Sequence, residues 1–158
     1  MLVEPLRVIP IKDVPVGSLF YFLSANCSVL CLAAQVEGAP SSETKFVVPL
    51  RYDSHPTSIG VVIEINHLPG YAVILDDAKA EISLDSSSYQ DGGKILVSDN
   101  KIYMPLSNGR YDAGYLDIKE GIITYSVNRG VHFKDWKIYS DSSKDQIIWD
   151  SSLDYSSL

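Results

Sequence analysis

The sequence predicts an all-β protein: an antiparallel β-sandwich or partly open β-barrel built from consecutive hairpins, with ten to thirteen strands and at most one short helix. From residue 94 onward, short β-branched and aromatic runs are cut by turn dipeptides every eight to twelve residues. No segment sustains a helical apolar period. Strands this short, each with an apolar face, are buried only by packing on a second sheet or closing into a barrel.

Taken in order, Val8 to Ser18 carries Pro10 and Pro15, whose missing N–H excludes a central ladder, so it reads as an edge strand and a turn. Leu19-Phe20-Tyr21-Phe22-Leu23 is continuously apolar, which suits a strand covered on both faces. Ser28 to Gln35 pairs back with it across Ser24 to Cys27. A helix is the competing reading there, because Leu30, Ala33 and Ala34 also fit a helical spacing. Thr44 to Val48 is a strand that Pro49 closes or places at an edge. Ile59 to Asn66 and Tyr71 to Leu75 form a hairpin around Pro69-Gly70, a type II turn pair, and Lys79 to Leu84 continues the meander.

Residues 86–93 are the lowest-complexity stretch inside the chain. They read as a surface loop within a single domain spanning 1–158, with a weak two-lobe division as the alternative. Beyond them, Ser98-Asp99-Asn100 supplies turn residues that tolerate positive φ. Asn108-Gly109, Glu120-Gly121 and Asn128-Arg129-Gly130 mark the next reversals. They give a meander through Gly114–Lys119, Ile122–Val127, Val131–Tyr139 and Gln146–Trp149, with Trp136 and Trp149 in the core.

A chain of 158 residues buries enough surface to fold without disulfides, and its 46% apolar and 21% charged residues are ordinary for a globular protein. No apolar run approaches the ~20 residues of a membrane span, and the first residues lack a secretory pattern, so the chain reads as cytoplasmic, with no membrane partner. The net charge of −7 is spread: five basic against eight acidic residues over 1–80, and eight against twelve over 81–158. Without clustered Lys and Arg, nucleic acid is an unsuitable ligand.

Enzymatic motifs are missing. Cys27 and Cys31 on one strand stand roughly 13 Å apart, too far for a disulfide. His55, His67 and His132 have no second histidine at ligand spacing, so neither a metal, a cofactor nor a catalytic residue is assigned. The suggestive feature is aromatic, since seven of ten tyrosines follow residue 85. Alternation turns Tyr103, Tyr111, Tyr115 and Asp117 away from the core, opposite Leu116 and Ile118, with Asp112 beside them. The expectation is therefore a non-enzymatic binding protein that offers Tyr103, Tyr111, Asp112, Tyr115 and Asp117 to a protein partner, a basic one, or to a second copy of itself. The alternatives are a small-ligand or carbohydrate-binding barrel with an aromatic-lined pocket, and a hydrolase with an acidic or cysteine site.

Overall fold

The computed structural model describes residues 7–23, 28–38, 45–52, 63–65, 69–82, 95–107 and 112–152. Its described strands are β1 (Val8–Pro10), β2 (Leu19–Leu23), β3 (Ser28–Val36), β4 (Phe46–Tyr52), β5 (Ile63–Glu64), β6 (Tyr71–Ile74) and β7 (Lys79–Ile82), then β8 (Ile95–Ser98), β9 (Lys101–Ser107), β10 (Asp112–Asp117), β11 (Ile122–Thr124), β12 (Val131–Phe133), β13 (Trp136–Tyr139) and β14 (Ile147–Asp150). No α-helix occurs among the described residues, and Ile11–Asp13 forms a 3-10 turn. The all-β class is as the sequence predicts. The sheets do not close into a barrel: the large one runs β1-β6-β2-β3-β11-β10-β9-β8-β12, with β4 and β5 branching from β3, and a small one runs β14-β13-β7.

Strand β3 joins the two halves of the large sheet. Its first residues pair with β2 on one edge and its middle with β4 on the other. Its last two, Gln35 and Val36, pair in parallel with Ile122 and Ile123 of β11. Where β2 hands over to β11, Gly17 N donates to Ala33 O and Gln35 N to Gly121 O, both at 2.9 Å. Two glycines make this crossing possible. Gly17 and Gly121 have φ of 88° and 72°, and a Cβ on Gly121 would lie 2.3 Å from Gly17 N and 2.6 Å from Ala33 O.

Burial follows from alternation on β3. Leu30, Leu32 and Ala34 face the core shared with Ile95, Met104, Leu116, Trp136 and Trp149, while Val29, Cys31 and Ala33 face a second cluster with Phe20 and Ala72. A strand covered on both faces explains the continuous apolar run and decides Ser28–Gln35 as strand, not helix. Opposite Leu30 and Cys31 the register of β4 skips Leu50, a bulge beside Pro49. The Leu50 carbonyl accepts the Trp149 indole N–H at 2.9 Å, which ties the small sheet to β4. The Trp136 and Trp149 rings pack at 4.5 Å between centroids.

The C-terminal meander forms as expected from β8 to β11, including the two-residue turn at Asp99 and Asn100, with φ of 49° and 62°. Three expectations are corrected. β5 and β6 are not a hairpin: β5 pairs with β4, and β6 lies between β1 and β2. Both edges of β6 are taken by β1 and β2, which leaves none for β5, and a Pro-Gly turn dictates a reversal but not a partner. β7 does not continue that meander but crosses to pair with β13. The expected strand Val131–Tyr139 divides at Lys134-Asp135 into β12, paired with β8, and β13. Ser151 Oγ fixes the switch by accepting the Trp136 N–H at 2.9 Å. The expected turns at 24–27, 53–58 and Asn108-Gly109, the loop at 86–93, and Cys27, His55 and His67 lie outside the described residues.

Candidate functional site

Register on β9, β10 and β11 places the expected binding residues. Tyr115 stands opposite Pro105 and Thr124, and Asp117 opposite Tyr103 and Ile122. These six share the outer face of the sheet, because Met104, Leu116 and Ile123 between them point into the core. Tyr103 and Tyr115 are thus diagonal neighbours, each half-buried. Tyr111 and the Asp112 side chain lie outside the described residues.

Asp117 differs from the expectation, since it is only 3% exposed. Its Oδ1 accepts the N–H groups of Lys119 at 3.0 Å and Glu120 at 3.1 Å, and its backbone O accepts that of Gly121. Its Oδ2 lies 3.2 Å from Lys101 Nζ. The carboxylate therefore folds back to hold the β10–β11 turn, an Asx-turn role, instead of facing a partner. Its hydrogen bond and charge hold the Lys101 ammonium above the ordinary lysine range.

The outer face is also crossed. Residues 125–130 link β11 to β12, and because β12 pairs with β8 they must pass β10 and β9. The inner face is filled by core, so this strap lies over the outer one. Ser98, on the Tyr103 side of the sheet, donates its hydroxyl to the Asn128 carbonyl at 2.9 Å, and Asn128 Nδ2 donates to Asp99 Oδ2 at 2.6 Å. Leu96, which faces outward opposite Tyr103, is only 4% exposed.

On the opposite side, the sheets part to leave a cleft of about 740 Å³. It opens where β6 ends and the chain leaves for β7, so no described strand fills the gap between the β2–β3 end of the large sheet, the turns of β8–β9 and β10–β11, and β13. Leu19, Leu32, Ile74, Ile102, Ile118 and Ile138 supply aliphatic walls, and the small side chains of Ala78 and Ala80 leave the space unfilled. The volume falls within the range of pockets that hold small molecules. No aromatic side chain lines it among the described residues. Charged groups gather at the cleft, several of them already engaged: Asp76 pairs with Arg7 at 2.7 Å, Asp99 with Asn128, and Asp117 with Lys101. Lys79 and Lys119 line the cleft with no side-chain partner among the described residues, and Glu120 adds its charge there within electrostatic reach of Lys101.

Of the expected site residues that are described, the cleft contains Asp117 and not Tyr103 or Tyr115. Sequence reading missed Lys79, Lys119 and the aliphatic walls because they come from elements whose adjacency depends on the β7 crossing. Cys31 is 1% exposed, with Sγ 3.6 Å from the Val29 carbonyl, so a reagent or substrate does not reach it. Among the described residues, no group of three or more His, Cys, Asp or Glu side chains could hold a metal ion, and no helix is long and apolar enough to cross a membrane. Comparison with protein-family models, with curated proteins and with solved structures found no match.

Proposed function

We propose that this chain is a non-enzymatic binding protein whose ligand is a small molecule seated in the cleft between the sheets. The observation that carries the reading is the cleft itself: aliphatic walls drawn from three regions of the fold, with charged groups of both signs among the lining residues. A largely preformed apolar concavity with a few converging polar groups is the usual form of a small-molecule site. The described lining residues are aliphatic and charged and give no stacking platform for a sugar ring, so among them the carbohydrate alternative has less support than an aliphatic ligand. The test is an amide chemical-shift titration with decan-1-ol. Saturable shifts at Leu19, Ile74–Ala80, Ile102 and residues 118–120 are expected, and their absence overturns the reading.

A second reading, docking of a protein on the tyrosine face, is favoured by the diagonal Tyr103–Tyr115 pair beside exposed Pro105. The overall charge of −7 suits a basic partner, although Asp117 is turned inward and adds nothing to that face. Protein capture that survives Tyr103→Ala/Tyr115→Ala would overturn it.

A further inference from the structure

We propose that Ala80 sets how long an alkyl chain this cleft accepts, so that the ligand is a molecule whose flexible straight chain ends against β7, an inference that rests on the cleft being the binding site. The hollow continues the main core. Leu19, Leu32, Ile118 and Ile138 belong to that core and also line the cleft, so a guest lying along them meets the surface that buried side chains meet elsewhere. A straight alkyl chain follows such walls by rotating its own bonds. Its contacts are dispersion and the removal of apolar surface from water, neither of which needs a fixed direction.

Ala80 stands where the core stops. In the small sheet Trp149 is opposite Ile138, and Ile138 is opposite Ala80, so these three side chains form one row on one face. Trp149 and Ile138 are 3% and 2% exposed, whereas Ala80, on the edge strand β7, is exposed and lines the cleft. The row therefore faces the core at two positions and the hollow at the third. Alanine is not a residue that strands favour, and its methyl group adds little packing; what it supplies at this position is room. Each carbon added there takes space from the guest that lies beside Ile138.

Amide chemical-shift titration of the whole chain with the straight-chain alcohols from pentan-1-ol to decan-1-ol, each below its solubility limit, tests this. Their uncharged head keeps the lysines and acids of the lining out of the comparison. Affinity is expected to rise about four-fold per methylene until the cleft is filled. The rise should end about two methylenes earlier in Ala80→Val and about three earlier in Ala80→Leu, matching the carbons added, with pentan-1-ol unchanged in both. The β-branched valine suits a strand, so the milder variant keeps the test open if leucine disturbs β7. A rise that ends at the same length in the wild type and the variants overturns the Ala80 assignment and leaves the cleft reading standing. So does a loss of pentan-1-ol binding in step with decan-1-ol, which would make position 80 a block to entry and not a gauge of length. If no alcohol gives saturable shifts, both readings fall.

Discussion

The two sides of the β8–β11 sheet carry opposite solutions to the same problem. The outer face carries two half-buried tyrosines and is crossed by the 125–130 strap, with the charged pair Lys101 and Asp117 closed on itself. On the inner side, packing is complete around Trp136 and Leu116 but fails where β7 departs, leaving a hollow with aliphatic walls and two lysines lacking partners among the described residues. A covered, internally neutralised face has little left to offer a ligand. A hollow lined by apolar surface loses dispersion contacts that a guest can restore.

The contrast depends on the junction that holds the sheets in place, so its largest challenge is Gly121→Ala. The new methyl would meet Gly17 N and Ala33 O inside van der Waals distance at a left-handed φ, and the β3–β11 pairing must yield. A loss of more than about 3 kcal/mol is expected, read as a fall of about 10 °C in melting temperature or as failure to fold. Gly38→Ala is the control. It also has positive φ but nothing within 4 Å of the added methyl, and should cost only about 1 kcal/mol.

Asp117 connects the two sides, since it belongs to the outer face by register yet holds a turn that lines the cleft. Asp117→Ala strands two turn N–H groups and should cost about 2–3 kcal/mol in urea unfolding. Asp117→Asn, whose amide oxygen can still accept them, should recover roughly half of that loss. Equal losses would mean that the Lys101 charge, and not the turn, is what Asp117 serves. That outcome would remove the distinction between a self-neutralised face and an open cleft.

Much of this was legible in the sequence. Alternation put Tyr103 and Tyr115 on one face and Leu116 on the other, and continuous apolarity marked β2 as covered on both sides, whereas the same two-sided cover of β3 came only with the structure. Asp99 and Asn100 announced their turn because few residues accept two successive positive φ angles. Alternation sets the side on which a residue leaves the strand but not what lies above it, so the burial of Asp117 and Leu96 was invisible. Turn residues likewise specify reversals, whereas partner choice follows shape across distant segments. Hence the β6–β1 and β7–β13 pairings, the Leu50 bulge that receives Trp149, and the cleft formed by the β7 departure had no local signature.

The most direct test compares one substitution on each side. Ala80, exposed on β7 and part of the cleft wall, can be replaced by tryptophan without disturbing the core, while Tyr103→Ala/Tyr115→Ala strips the opposite face. With decan-1-ol binding measured in both, the expected result is a loss of ten-fold or more in Ala80→Trp and no change in the tyrosine variant. Unchanged binding in Ala80→Trp with loss in the tyrosine variant would contradict the assignment and move the binding site to the outer face.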